Sequence, residues 1–169
     1  EGKVFSNGLN RAARSCFYAV QKYFERRIPV RQISADVLEA SEQAIVAFET
    51  AMYHCEFSQA FVVLSDLVKE INRRWSETNP YSEECDEELR AQALADAFHM
   101  VKTATVLAHP IAPLGTETIR SHLAVDTTLW SWNTIFTPLY GLMENPAAHE
   151  VVELPPKSDF FEKNPMEFK

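Results

Sequence analysis

Asn10 and Arg14 lie four positions apart, so on a helix they share a face. An amide beside a guanidinium offers the donors and acceptors that read the edges of unpaired bases. A second polar group lies downstream. Asn72-Arg73-Arg74-Trp75 runs into the turn Asn79-Pro80-Tyr81. A tyrosine on a proline turn beside basic groups is a platform on which a splayed base can stack. Taken alone, Asn10 and Arg14 also fit an ordinary polar helix face, and Tyr81 a ring that caps the end of a bundle.

Other chemistry is scarce. The sequence contains no Gly-x-Ser-x-Gly, no phosphate-loop motif and no His-Glu-x-x-His. A carboxylate-bridged metal bundle needs two Glu-x-x-His pairs and two further glutamates. Here there is one distant counterpart, Asp96-Ala-Phe-His99, and the remaining histidines have no partner spacing. His54 and Cys55 are adjacent and point in different directions on a helix. The acids Glu83, Glu84, Asp86, Glu87 and Glu88 read as a solvated helix start. Four glycines leave little for a phosphate-cradling loop, and Cys16, Cys55 and Cys85 show no zinc or disulfide pattern. We expect no catalytic residue and no metal site in this chain.

Charge is unevenly placed. The 169 residues carry a net charge of -8, yet residues 1–31 hold seven basic groups against Glu1 and Glu25. An anionic partner docking at that end would explain the asymmetry, and so would a solvated helix face. The acidic remainder repels nucleic acid, so any RNA contact must be local. Apolar runs such as Ala60–Leu64 are far too short to cross a bilayer. With no secretory signal, a cytoplasmic protein without membrane contact is expected.

The elements that must position these groups are helices. Leu9, Ala13, Phe17, Val20 and Phe24 give one face of a helix over about 6–26. Ser34 is a good cap for a second helix to Tyr53, with Leu38, Ile45, Phe48 and Met52 as its stripe. A third runs from Phe57 to Glu77 before Pro80, and a fourth from Asp86 to Leu107. A short fifth spans Thr116 to Leu123, beyond Pro110 and Pro113. The expected fold is all-α, an up-and-down bundle of about five helices over residues 1–125. Residues 126–169 read as an irregular tail of aromatics between prolines, packed on the bundle or on a neighbouring domain. On the second alternative, deleting residues 146–169 barely changes the melting temperature.

The order of these pieces resembles the anticodon-binding domain of methionyl-tRNA synthetase, a class I synthetase. The resemblance rests on Asn10-Arg-Ala-Ala-Arg14, the stretch Asn72 to Tyr81, and the break Leu107-Ala-His-Pro110-Ile-Ala-Pro113, and it covers roughly residues 4–135. It implies that Asn10 and Arg14 recognise bases of a CAU anticodon, while Pro80 and Tyr81 shape and stack the opened loop. Tyr81 stands where the family has tryptophan, and Ser6 where a second asparagine is expected. Ser6, Arg11, Arg73 and Arg74 are auxiliary RNA contacts in this reading. The family's ATP-binding motifs do not occur, so the resemblance implies a C-terminal piece of a longer enzyme. This piece needs no cofactor. The parent would join methionine to tRNA with ATP and magnesium. The implied partners are the tRNA anticodon stem-loop and the missing catalytic domain, not DNA. A protein-binding helical module and the anticodon domain of another class I synthetase are the alternatives.

Overall fold

The computed structural model describes residues 3–162, and among them the regular structure is helical. A π-helical turn, Lys3–Leu9, leads into α1, Asn10–Tyr23; α2 is Ala35–Tyr53, α3 Phe57–Thr78, α4 Glu87–Ala108 and α5 Pro113–Leu123. Short connections reverse the chain between neighbours, and α2 packs on α3, α3 on α4 and α4 on α1. The expected bundle is therefore present. No described helix is long and apolar enough to cross a membrane.

Local chemistry sets the boundaries. The stripe Leu9, Ala13, Phe17 and Val20 is fully buried, and Phe17 meets Phe98 of α4 edge-on with ring centroids 5.7 Å apart. At the end of α3, Asn79 adopts the left-handed conformation, φ 44°, and its N–H donates to the Trp75 carbonyl. Pro80 follows and cannot continue the helix. Asp86 caps α4 by accepting from the Leu89 N–H. Ser34 sits at the start of α2 but bonds across the bundle: its hydroxyl and its N–H both donate to Asp96 of α4.

Helix α4 differs from its one-sided sequence pattern. From Ala97 to Ala108 every residue is buried, because α1, α2, α3, α5 and the C-terminal segment surround it. This encloses His99 and Lys102. The Lys102 ammonium donates to the Ile135 carbonyl at 2.6 Å and to that of Thr134 at 3.2 Å. Burial pushes its pKa down to about 8. Burial also pushes His99 down to about 4, helped by the Lys102 charge. Thr103 and Thr105 satisfy their hydroxyls on carbonyls of their own helix.

The C-terminal segment does not turn away from the bundle. After three short 3-10 turns, Thr127–Trp130, Trp132–Thr134 and Leu139–Leu142, it runs back as a strap. The Val151 N–H donates to the Arg26 carbonyl, the Leu154 N–H to the Gln21 amide oxygen, and the Tyr18 hydroxyl to the Pro155 carbonyl. Phe160 packs on Phe17, and Phe161 on Phe5. Gly115 admits the strap: a Cβ there would lie 2.3 Å from the Phe161 ring. Over the described residues the strap seats its aromatics on this chain's own α1 and α5, as in the first of the two alternatives for the tail. Aromatics between prolines carry no helical period, so their partner was not readable from spacing. Val151, Leu154, Phe160 and Phe161 are all buried, and at about 1.5–3 kcal/mol each their loss removes several kcal/mol. Deleting residues 146–169 should therefore lower the melting temperature in a calorimetric scan by about 10 °C or more. An unchanged melting temperature would show that the strap contributes no packing.

Candidate nucleic-acid interface

Asn10 opens α1 and is fully buried, 2% exposed. Its side-chain oxygen accepts from the N–H groups of Phe160 (2.7 Å) and Phe161 (3.2 Å). Its NH2 donates to Asp159 Oδ1 (3.1 Å) and to the Phe161 carbonyl (3.2 Å). Every polar position of this amide is engaged by the strap. Arg14 lies one turn on. Its Nη1 donates to the same Asp159 oxygen at 2.8 Å, while its Nε is buried with no hydrogen-bond partner among the described residues. The spacing does bring Asn10 and Arg14 to one face, but Asn10 is turned into the protein.

Beside this clasp lies an open groove of about 470 Å³, lined by Ser6, Asn7, Arg11, Arg14, Tyr18 and Tyr81 among others. It adjoins a second, of about 410 Å³, where Lys3, Lys69 and Arg73 bring positive charge. Asn7 and Arg11 line both. They too are four residues apart, both are exposed, and neither side chain has a hydrogen-bond or ion-pair partner among the described residues. Asn7-Gly-Leu-Asn-Arg11 carries the same Asn-x-x-x-Arg spacing three residues earlier, a signal present in the sequence but missed beside Asn10 and Arg14. Burial separates the two frames. The π turn directs Phe5 and Leu9 into the core and leaves Asn7 outside. Gly8 lets that turn approach α3: a Cβ there would stand 2.7 Å from Val68 Cγ1. The Asn72 amide then holds the turn by donating to the Gly8 carbonyl at 3.2 Å.

Tyr81 forms the far wall. Its hydroxyl donates to the Ser15 carbonyl (3.0 Å), and its ring packs against Trp75 and Tyr23 at 5.9 and 6.2 Å. Burial raises the phenol pKa well above its ordinary value, so the hydroxyl stays neutral. Pro80 is buried, and its carbonyl accepts from Arg90 Nε at 2.8 Å. The turn is thus anchored from both sides.

The other basic residues are mostly occupied. Arg73 pairs with Glu70 and Glu77, and Arg74 with Glu70 and Asp36. The Arg73 hydrogen bond, and then that of Arg74, lower the Glu70 pKa to about 2 against a desolvation that raises it. Arg74 faces a different cleft, with Asp36 of α2. Arg26 and Arg27 pair with Glu150, and Arg31 with Glu88. Lys3, Arg11 and Lys22 form no ion pair among the described residues, and Lys22 lies 6.0 Å from the Tyr81 ring centre. The Asp96 carboxylate is taken by Ser34 and Gln92, and no group of three metal-ligating side chains occurs among the described residues.

No family model matches the sequence. It is similar to the methionine–tRNA ligase of Halalkalibacterium halodurans, 26% identical over 140 residues, which are 78% of this chain and 21% of that protein. The Listeria monocytogenes serotype 4b methionine–tRNA ligase is 26% identical over 157 residues, 88% of this chain and 23% of its own. The structure superposes on Mycobacterium tuberculosis methionyl-tRNA synthetase in complex with methionyl-adenylate with a TM-score of 0.72 at 19% identity, covering 96% of this chain and 32% of that one. Its apo form gives 0.71 at 20% identity, covering 94% and 32%. At these identities the superposition shows the fold. This chain spans about a fifth of the length of the curated relatives it matches.

The two asparagines should respond differently to truncation. Asn10→Ala leaves three backbone groups and a carboxylate without their partner, and should cost about 3 kcal/mol in a denaturant titration. Asn7→Ala should stay within about 0.5 kcal/mol of wild type. Equal effects would refute the division between a buried clasp and an open groove.

Proposed function

The chain resembles a C-terminal helical domain of methionyl-tRNA synthetase over most of its length, and from that premise we propose that it reads the opened CAU anticodon loop of tRNA. The observation that carries this reading is the groove that Asn7 and Arg11, neither with a partner among the described residues, line together with the anchored ring of Tyr81.

Opening the loop costs a few kcal/mol of lost stacking. Tyr81 recovers about 1–3 kcal/mol by stacking on one freed base. Because Trp75, Tyr23 and the Ser15 carbonyl fix its ring, little further ordering is needed. Pro80 sets the turn that presents the ring. Asn7 and Arg11 supply base-edge hydrogen bonds, and a wrong base leaves one of these groups desolvated and unpaired. Lys3, Arg14 and Arg73 lie where backbone phosphates would pass, and Ser6 adds a hydroxyl to the wall. Asn10 supports this face from beneath without touching RNA. The domain would serve a parent enzyme that uses ATP and magnesium to join methionine to tRNA in the cytoplasm, with its catalytic domain elsewhere in the chain.

The test is a titration at fixed low salt, comparing a tRNA stem-loop bearing CAU with one bearing an altered anticodon. Wild type should prefer CAU, and added salt should weaken binding steeply. Asn7→Ala and Arg11→Ala should each narrow the preference by about 1–3 kcal/mol, whereas Arg14→Ala should weaken both loops alike. A preference untouched by the Asn7 and Arg11 changes would remove this groove as the reading site. Salt-insensitive binding to protein alone would favour a helical adaptor.

A further inference from the structure

We infer that Arg14 marks a phosphate subsite at the edge of the groove, which Asp159 of the chain's own strap occupies until an RNA phosphodiester displaces it. The inference rests on the anticodon-loop reading above and adds to it a built-in competitor for the RNA backbone.

Three features carry it. The first is the form of the ion pair. Arg14 and Asp159 meet through one nitrogen and one oxygen, Nη1 and Oδ1 at 2.8 Å, and the side chains are 35% and 48% exposed. A guanidinium can engage a carboxylate by two parallel bonds, and this one does not. A single-point, solvent-reached pair adds little stability and exchanges readily. The second is unused capacity. The Arg14 Nε–H is buried without a partner among the described residues, so the guanidinium is under-satisfied in this arrangement. A phosphodiester, with two non-bridging oxygens that share one negative charge, can take up more of that fork than Asp159 does. The third is placement. Arg14 lines the same groove as Arg11, which has no ion-pair partner among the described residues, and Tyr81 stands across it.

The exchange requires only Arg14 to move. Asp159 keeps its second partner, because the Asn10 NH2 donates to the same oxygen, and Asn10 holds the strap by three further bonds to Phe160 and Phe161. The strap therefore stays seated while the guanidinium changes acceptors. In the free protein the carboxylate keeps Arg14 ordered and offsets its charge. RNA must outcompete it, which weakens binding of every loop whose phosphate passes close to Arg14.

Asp159→Asn tests this, because the amide keeps an oxygen for Asn10 and Arg14 while losing the charge. Binding of the CAU stem-loop and of the altered loop would be measured in wild type, Asp159→Asn, Arg14→Gln and the double variant, with melting temperatures as the control for folding. Asp159→Asn should tighten binding about threefold to tenfold for both loops. It should steepen the salt dependence by up to about 0.7 in the log–log slope, because the carboxylate charge that offsets one phosphate contact on a single strand is gone. In the Arg14→Gln background the same change should have no effect. An unchanged affinity in Asp159→Asn, an equal gain with and without Arg14, or no binding of any loop by either protein would overturn the subsite. Loss of CAU preference in wild type would instead defeat the anticodon reading. In that case the Asp159 comparison, made on whichever loop binds, still decides the subsite.

Discussion

The buried amide of Asn10 ties the first helix to the end of the described chain. Its oxygen takes two strap N–H groups, and its NH2 reaches a carbonyl and a carboxylate. The amide supplies an NH2 that donates twice and an oxygen that accepts twice, which neither an ionised aspartate nor leucine could supply there. The contact spans about 150 residues of sequence and fixes where α1 begins relative to the strap. Phe160 and Phe161 then fall on Phe17 and Phe5, and Gly115 leaves space for the ring that α5 must accept. Without this clasp the carboxylate of Asp159 would not stand beside Arg14.

The same clasp orders the electrostatics of the basic end. Acids of the strap and of α4 neutralise Arg14, Arg26, Arg27 and Arg31, and acids of α2 and α3 neutralise Arg73 and Arg74. What remains for an outside anion is a short strip, Lys3 and Arg11, with Lys22 near Tyr81. A strongly acidic protein can bind a polyanion only through such a confined strip, because longer contact would meet repulsion. Confinement fits a partner that presents a loop rather than a duplex.

Much of this was legible in the sequence. The stripes of α1, α2 and α3, the proline stops and the Asp86 cap follow from helical period and local capping chemistry, which act within a few residues. Tyr81 on its proline turn was readable for the same reason. The choice between Asn7/Arg11 and Asn10/Arg14 was not. Both pairs have the same spacing, and only burial beneath a strap from the far end of the chain separates them. The π turn that exposes Asn7 depends on Gly8 meeting Val68, another distant contact. The burial of every α4 residue from Ala97 to Ala108, with Lys102 enclosed, was hidden because neighbours on every side erase the one-sided pattern. The strap itself has no period to read.

In the proposed complex Asn7, and not Asn10, meets RNA. Side-chain amide resonances of an isotope-labelled chain, followed by NMR as an unlabelled CAU stem-loop is added, report on both at once. The Asn7 NH2 signals should shift progressively with RNA, together with the Arg11 and Tyr81 signals, while those of Asn10 hold their free positions. Shifts at Asn10 with Asn7 unmoved would show that the strap opens and that the buried clasp, not the open groove, is the reading site.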